Sequence, residues 1–330
     1  MVRKLFLSEY TASAMADAAS ILLAGGLVAF PTETVYGLGA DACNEMAVAR
    51  IYSAKGRPAD HPLIVHVPSM DLLGDWAADV PEYAIALARD YWPGPMTLVV
   101  KRSELARDFI TGGQDTVGVR VPNHPVALGL LEAFARAGGK GLAAPSANRF
   151  GNVSPTTAQA ASDELSDYLA VSDVILDGGA CAVGVESTII DCTGDVPRIL
   201  RPGAVTIAMI EKSTGLPVGY SSFTETGSAA DRNEIRVSGA LDSHYAPEAT
   251  VLLDQVPAAG QGFIAMADVV GGEGVVRLAA PITHDEFARV LYSALRLADE
   301  QGLETVVVQQ PQGDGIAIAI RDRLKRAAHR

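Results

Sequence analysis

The chain has 330 residues, enough for about two domains that each bury a core without disulfides or metal. Its formal charge of −13 disfavours stable nucleic-acid binding, because proteins that follow phosphate backbones gain most of their affinity from Lys and Arg. Apolar residues make up 48% of the sequence but occur in short runs, shorter than the roughly 20 residues of a membrane span. The N-terminal residues lack a long apolar signal core, so we expect a soluble cytoplasmic protein.

The cysteines and histidines do not have the spacing of a metal site. Cys43, Cys181 and Cys192 include no CxxC pair, and the histidines form no HExxH motif and no i,i+4 pair. We therefore expect structural thiols, and a metal only where it arrives bound to a nucleotide.

A polar loop follows the first strand of the chain. A helix is predicted over 11–24 and a strand over 27–30, and Pro31 ends the strand because it has no N–H to donate. The loop predicted after it runs to Gly39 and is dense in hydroxyls and glycine, as a pocket floor would be. It contains Thr32, Glu33, Thr34, Tyr36, Gly37 and Gly39.

Two cations lie near the end of the next helix. Asn44 is a suitable N-cap for a helix that ends before Gly56. If the backbone is extended beyond it, Lys55 and Arg57 project to the same side and suit a phosphate. The alternative is that both are surface cations that interact with the helix dipole.

Two strands carry candidate binding residues. His66 lies in a strand over 63–67 and is either a structural histidine or a residue beside a pocket. Arg120 lies in the alternating strand over 116–121, on the face opposite Val119. It is a carboxylate clamp if that face meets the pocket, and otherwise a solvated edge residue.

A third group of polar residues follows the strand over 142–144. Ser146 and Asn148 come directly after it, and Ser154 resembles an N-cap with Pro155 as the first helical residue. A strand end next to a helix N-terminus suits an anion. The alternative role of Ser154 is to cap its own helix only.

The other elements indicate a second, smaller unit. Helices are predicted over 81–91 and 125–137, and strands over 97–100, 174–177 and 187–191. The stretch 216–236 is polar and irregular, as a linker would be. Beyond it we predict strands over 251–253, 262–266 and 305–308, a helix from the capping box of Thr283 and Glu286 to Gly302, and a helix over 315–328.

These motifs resemble the threonylcarbamoyl-AMP synthase family, whose catalytic domain is called YrdC-like. The resemblance rests on PTETVYGLGADA, KGRP, HPL, WPGPMTL, PSAN, GVESTIID and RPG, and on HYAP at 244–247, which the long members carry. It implies an α/β fold, with a YrdC-like twisted mixed sheet with flanking helices and a small C-terminal α/β (Rossmann-like) domain. The expected divisions are 1–206 for the catalytic domain, 207–247 for a linker or lid, and 248–330 for the small domain.

The resemblance also implies the reaction and the site. L-threonine, bicarbonate and ATP condense to threonylcarbamoyl-AMP and pyrophosphate, for threonylcarbamoyladenosine in tRNA, and downstream tRNA threonylcarbamoyl-transfer proteins use the product. Mg2+ is expected on the ATP phosphates, with no ligand from protein side chains. The catalytic residues implied are Lys55, Arg57 and Arg120. Threonine is expected at Thr34, His66, Arg120 and Ser187, and ATP at Lys55, Arg57, His61, Thr116, Ser146, Asn148, Ser154, Arg201 and Tyr245.

Two positions depart from the family pattern. His61 stands where many relatives have Asn, and Ala144 where some have a hydroxyl residue.

Two other classes of protein fit the sequence less well. Carbamoyl-phosphate-dependent maturation factors share the YrdC-like domain, but they carry a zinc-finger region that three scattered cysteines exclude. A non-catalytic RNA-binding module is disfavoured by the net charge.

Overall fold

The computed structural model describes residues 3–6, 12–220, 235–237, 239 and 245–329, which form two β-sheets with flanking helices. The larger sheet has the spatial order β1-β9-β2-β3-β8-β4-β7-β6-β10-β11-β12, with β5 paired to β6. Its strands are β1 (Arg3–Phe6), β2 (Val28–Phe30), β3 (Gly37–Asp41), β4 (Ile64–His66), β5 (Ala77–Asp79), β6 (Met96–Arg102), β7 (Thr116–Arg120), β8 (Leu142–Ala143), β9 (Val174–Asp177), β10 (Thr188–Asp191), β11 (Arg198–Arg201) and β12 (Gly219–Tyr220). The sheet is mixed, because β4 and β7 run parallel whereas β6 and β7 run antiparallel.

Helices cover both faces of this sheet. They are α1 (Ala12–Leu23), α2 (Glu45–Lys55), α3 (Leu73–Trp76), α4 (Glu82–Tyr91), α5 (Asp108–Thr111), α6 (Pro125–Arg136), α7 (Ala158–Leu165) and α8 (Ile207–Thr214), with a 3-10 turn at Met70–Leu72. Successive residues of a strand face opposite sides. Accordingly Phe30 packs with Leu22 of α1 and Phe134 of α6, whereas Ala29 belongs to the core that includes Ile51 of α2.

The smaller sheet is entirely parallel. Its strands are β13 (Thr250–Leu253), β14 (Gly262–Ile264), β15 (Val276–Ala279) and β16 (Thr305–Val308), in the order β13-β16-β14-β15, with α9 (His284–Glu300) and α10 (Ile316–Ala327). The Thr283 hydroxyl caps α9 by accepting from the Glu286 N–H at 3.1 Å, whereas the Glu286 carboxylate accepts from Ile282 N–H at 2.8 Å. The expected mixed sheet with a small C-terminal α/β unit is confirmed.

The helix predicted after Asn44 is confirmed, including its end before Gly56. The Asn44 side chain accepts from Ala47 N–H at 3.2 Å, and Gly56 ends α2 in the left-handed region at φ 62°. The expectation that the backbone is extended directly beyond Lys55 is wrong, because Gly56 is left-handed.

The loop predicted to run to Gly39 ends earlier than expected. Gly37 and Gly39 lie in β3, antiparallel to β2. A Cβ at Gly39 would lie 2.9 Å from Cε1 of Phe30, so glycine leaves room for the aromatic ring across the strand pair. Both glycines thus serve strand packing, and the polar loop is confined to 31–36.

The prediction that Ser154 caps a helix starting at Pro155 is wrong. Helix α7 begins at Ala158, and Thr157 caps it by accepting from Ala160 N–H at 3.2 Å. The reason is tertiary: the Pro155 carbonyl accepts from Tyr36 N–H at 2.8 Å, and this contact holds the segment in an extended form.

Part of the predicted linker is regular structure. Helix α8 packs against α4, and β12 pairs in parallel with β11. Residues 221–234 of the polar stretch and His244 of the HYAP motif lie outside the described residues. The domain divisions at 206 and 247 stay a prediction.

Candidate active site

The loop after β2 is fixed by its own hydroxyls and by a buried arginine. Thr32 Oγ1 donates to the Val35 carbonyl at 2.6 Å. Arg120 Nη2 donates to Glu33 Oε1 at 2.6 Å and to Thr34 Oγ1 at 2.9 Å. Arg120 is only 4% exposed, so it is not a solvated edge residue. The structure therefore brings the predicted site residues Thr34 and Arg120 into direct contact.

Glu33 is part of this cluster, although the sequence assigned it no role. One carboxylate oxygen binds Arg120 and the other accepts from Asn123 N–H at 3.0 Å. Glu33 thus fixes the guanidinium plane, while no hydrogen-bond partner for Arg120 Nε lies among the described residues. An acidic residue in a buried loop, together with a buried arginine on a strand, was the signal available in the sequence.

His66 lies beside Arg120 on the neighbouring strand. The register of β4 and β7 pairs His66 with Arg120, and the His66 ring meets Phe30 edge to face at 6.1 Å. Burial and then the charge of Arg120 lower the pKa of His66 to about 3. The side chain is therefore neutral near pH 7 and can offer a ring nitrogen without adding positive charge.

Ser187 joins the threonine residues to the predicted ATP residues. Its hydroxyl lies 2.8 Å from Thr97 Oγ1, and Arg201 Nη2 donates to the same hydroxyl at 3.1 Å and to the Ser187 carbonyl at 3.0 Å. A Cβ at Gly118 would lie 3.3 Å from Thr97 Cγ2, so the glycine leaves room for that side chain. Thr97 is a further site residue, which the sequence reasoning placed only in a strand.

Lys55, Ser146 and Asn148 also lie together. Lys55 Nζ donates to the Ser146 carbonyl at 2.6 Å and to the Asn148 carbonyl at 2.5 Å. Burial and then Arg57 lower the pKa of Lys55 well below its ordinary value. An isolated bridge between Gly37 and Ser146 ties this group to the start of β3, directly after the polar loop. Lys55 is consequently not a surface cation.

Arg57 lies within electrostatic reach of two other predicted residues. Burial lowers its pKa to about 10; Tyr245 opposes this shift and Arg201 adds to it. Arg57 Nη2 also donates to the Pro62 carbonyl at 2.9 Å. Buried Lys55, Arg57 and Arg201 thus form a concentration of positive charge in an acidic protein.

The two departures from the family pattern keep local contacts. The His61 ring packs edge to face on Phe150 at 5.4 Å, and the His61 carbonyl accepts from Tyr52 Oη at 2.9 Å. Ala144 has no hydroxyl, but its N–H donates to the Ile64 carbonyl at 3.0 Å.

Tyr245 lies at the end of the linker, next to the arginines. It is buried with a left-handed backbone at φ 62°, and its ring stacks on Tyr292 at 5.8 Å. A Cβ at Gly239 would lie 2.0 Å from Tyr245 Oη and 3.3 Å from Arg201 Nη1. Only glycine therefore fits where the linker passes between these two side chains.

Ser154 belongs to a buried network that the sequence did not indicate. Ser154 Oγ donates to Glu186 Oε1 at 2.6 Å, while Tyr292 Oη and Arg323 Nε donate to Glu186 Oε2 at 2.8 Å and 2.7 Å. Burial alone would raise the pKa of Glu186, but Arg323, Arg201 and these hydrogen bonds lower it to about 2. An ionised carboxylate thus connects the small sheet unit to Ser154.

Thr116 lies beside the linker residues Arg236 and Val237 on the larger sheet. It borders a cavity of about 20 Å3 that Arg236 and Val237 also border. The Gln114 side chain accepts from Arg236 N–H at 2.7 Å and donates to the Arg236 carbonyl at 3.1 Å. The described part of the linker is therefore fastened to the sheet beside a predicted ATP residue.

No group of three or more His, Cys, Asp and Glu suited to a metal ion occurs in the described ranges. Among those same residues, no helix combines the length and the apolar character needed to cross a membrane.

Family models match both units of the chain. Residues 20–203 match the Sua5/YciO/YrdC model described as "Telomere recombination", and residues 205–329 match "Threonylcarbamoyl-AMP synthase, C-terminal domain".

Named relatives and a solved structure match nearly the full length. The threonylcarbamoyl-AMP synthase of Pyrococcus abyssi is 40% identical over 94% of this chain and 93% of its own length. The Bacillus subtilis protein of the same name is 37% identical over 95% and 92%. The crystal structure of P. abyssi Sua5 complexed with L-threonine has a TM-score of 0.85 at 36% identity and covers 99% of this chain and 97% of that one.

Fold and site together define a two-unit α/β protein whose polar site gathers buried cations and hydroxyls around the ends of strands of a mixed sheet. The sequence and structural matches then agree on one family. The chain belongs to the threonylcarbamoyl-AMP synthase family, in its two-domain form.

Proposed function

We propose that this protein is an L-threonylcarbamoyladenylate synthase, a nucleotidyltransferase that condenses L-threonine, bicarbonate and ATP. The observation that carries the proposal is the burial of Lys55, Arg57 and Arg201 near one another in a protein of net charge −13. Cationic side chains gathered in one buried site favour an anionic ligand with several charges, and a triphosphate is such a ligand.

The threonine subsite is proposed around Arg120. Its guanidinium, held by Glu33, suits the threonine carboxylate, and neutral His66 with the hydroxyls of Thr34 and Ser187 surrounds the rest. The P. abyssi Sua5 structure is a complex with L-threonine, and this supports threonine as the ligand.

The nucleotide is proposed to bind where the cations meet. Lys55, Arg57 and Arg201 would neutralise the phosphates, and other polar side chains would contact the rest of the molecule. These are His61, Thr116, Ser146, Asn148, Ser154 and Tyr245. Mg2+ would enter on the ATP phosphates, because Glu33 and Glu186, the carboxylates of this site, are already bound to Arg120 and Arg323.

The chemistry follows from these positions. Threonine and CO2 from bicarbonate form a carbamate, and its oxygen attacks the α-phosphorus while pyrophosphate leaves. The residues described here would align the carbamate and stabilise the charge that develops on the phosphates. The product would supply the threonylcarbamoyl group to tRNA-modifying transfer proteins in the cytoplasm.

The test is pyrophosphate release by the purified protein with ATP, Mg2+, bicarbonate and L-threonine. Release should require both bicarbonate and threonine, because the nucleophile forms from the two together. Equal release with L-serine, or with no amino acid, would contradict the substrate assignment. A salt-dependent tRNA shift assay tests the alternative of an RNA-binding module.

A further inference from the structure

Four side chains of the small sheet unit cross into the larger one. Along one face of α9, Arg289 Nε donates to the Ala182 carbonyl at 3.0 Å, Tyr292 binds Glu186, and Arg296 pairs with Glu164 at 3.0 Å. From α10, Arg323 Nε binds Glu186 at 2.7 Å, and Arg323 Nη2 donates to the Pro202 carbonyl at 3.0 Å. Glu164 lies in α7, whereas Ala182, Glu186 and Pro202 lie in loops next to residues of the proposed site.

The backbone of helix α9 lies close to the backbone of the loop that contains Gly184. A Cβ at Gly184 would lie 2.4 Å from the Ala288 carbonyl oxygen, and Gly184 has a left-handed φ of 86°. Gly184 precedes Glu186 by two residues. The loop is therefore shaped by the presence of α9.

The Glu186 carboxylate is buried together with its hydrogen-bond donors. It is 5% exposed and Arg323 is fully buried. One oxygen accepts from Ser154, and the other accepts from Tyr292 and Arg323. A buried ion pair with each group hydrogen-bonded has a narrow range of allowed geometries, so movement of Arg323 must displace Glu186.

Each atom held by this network is next to a proposed binding group. Ser154 is bonded to Glu186 directly, and Ser187 follows Glu186 in the chain. Pro202, which Arg323 also binds, follows Arg201. The small sheet unit therefore contacts Glu186 and Pro202, and these two adjoin three proposed ligand-binding residues through one hydrogen bond or one peptide bond.

We infer that Glu186, Tyr292 and Arg323 are positioning residues through which the C-terminal unit sets the geometry of Ser154, Ser187 and Arg201. The inference rests on the proposed function, because these three residues are assigned to ATP and threonine there. It gives the small sheet unit a role at the site: ATP affinity depends on a hydroxyl and a guanidinium that lie outside the YrdC-like domain.

The test uses conservative variants of the full chain and a control from the same interface. Tyr292→Phe removes one hydroxyl, and Arg323→Lys keeps the charge but removes the forked contact to Glu186 and Pro202. Arg289→Ala is the matched control, because it removes an interdomain hydrogen bond that does not reach Glu186. ATP affinity is measured by calorimetry, turnover by pyrophosphate release, and stability by Tm.

Tyr292→Phe and Arg323→Lys should each weaken ATP binding at least fivefold. This loss should exceed any loss in Arg289→Ala, even if Arg289→Ala has an equal or lower Tm. Arg289→Ala should keep its ATP affinity within twofold of the unchanged chain. The inference is overturned if the three variants bind ATP alike, or if affinity simply follows Tm. ATP affinity is measured without turnover. If the unchanged chain binds ATP but releases no threonine-dependent pyrophosphate, the proposed function is refuted. The affinities of the variants still test the positioning role in that case. An unchanged chain that binds no ATP would refute both.

Discussion

Arg120 is already paired with a carboxylate before any substrate is considered. Glu33 fixes one face of the guanidinium and takes its second contact from the Asn123 N–H. A bidentate group that is held in place loses little side-chain entropy on binding a ligand. The role proposed for Glu33 is therefore preorganisation of the threonine subsite.

Arg120→Lys should raise the KM for threonine by roughly 10- to 100-fold, because an ammonium cannot bind Glu33 and a substrate carboxylate in the same planar geometry and a charge-assisted contact is worth about 1.5–3 kcal/mol. The dissociation constant for ATP, measured by calorimetry, should be unchanged. Asp75→Asn, which alters a surface pair with Lys140, is the control. An unchanged KM for threonine would remove Arg120 from the subsite.

Lys55 leads to a prediction about protons. Its pKa is lowered by burial and by Arg57 in the protein without ligand, and a bound triphosphate would raise it again. At alkaline pH, ATP binding should therefore take up a proton, seen as a dependence of the calorimetric enthalpy on the buffer's ionisation enthalpy. Lys55→Met should weaken binding and remove that uptake. Equal uptake in both proteins would assign the proton to another group.

The sequence motifs located most site residues, but not their partners. Thr34, Arg120, Lys55 and Ser187 were all predicted. Thr97, Glu33 and Glu186 were not, because their roles depend on pairings across 87 to 137 positions that no local pattern reports.

At the scale of elements, the linker segment 235–237 is fastened by Gln114 and by the side chain of Arg236, which donates to the Gly112 carbonyl at 2.7 Å and pairs with Asp60 at 3.4 Å. Gln114 satisfies both the N–H and the carbonyl of Arg236, as a neighbouring strand would, and Val237 packs with Val99 and Ile189. The family resemblance implies a linker or lid over 207–247. The role as a lid stays a prediction; the described contacts show where the segment is fastened.

Gln114→Ala should speed amide exchange at Arg236, because its N–H loses its hydrogen-bond acceptor while the fold is unchanged. Hydrogen-exchange mass spectrometry of the peptide that covers 235–237 measures this. Gln159→Ala on α7, which removes a local contact to Asp163 far along the chain from Arg236, is the matched control. Equal exchange in the two variants would show that packing and the contacts of the Arg236 side chain, rather than Gln114, hold the segment.

Element prediction succeeded where local signals agreed with tertiary structure and failed where tertiary contacts decided. Asn44 and Gly56 bound α2 as their residue types indicate. Ser154-Pro155 has an equally good cap pattern, yet Tyr36 and Glu186 hold it extended. The strand that contains Gly37 and Gly39 was missed because glycine favours loops unless an aromatic ring packs over it.

At the scale of the whole molecule, the two units share a core. Val35, Val153 and Val185 of the larger unit pack with Phe287 and Leu291 of α9. The sequence indicated most helices and strands of both units, but it could not show that the apolar surfaces of the two units pack against each other. An amphipathic helix pattern reports that a face is buried, and not against which partner.

This shared interface makes stability depend on acid pH. The pKa of Glu186 is about 2 in the folded protein, against about 4.5 for an ordinary glutamate, so its stabilising contribution is present above pH 4.5 and lost as pH falls towards 2. Glu186→Gln should reduce the fall of Tm between pH 5 and pH 2.5, measured by scanning calorimetry. Arg289→Ala, which removes no carboxylate, should keep the steeper fall. Parallel Tm curves for Glu186→Gln and the unchanged chain would contradict the pairing.

The Glu186–Arg323 pair also sets an order of events during synthesis, because its members are 137 positions apart in the chain. At about 5–20 residues per second, Glu186 leaves the ribosome roughly 7–27 s before Arg323. During that interval the nascent larger unit holds a carboxylate whose cationic partner has not yet been made. We therefore expect the ATP site to be completed after translation of α10, so that an unfinished chain does not consume ATP.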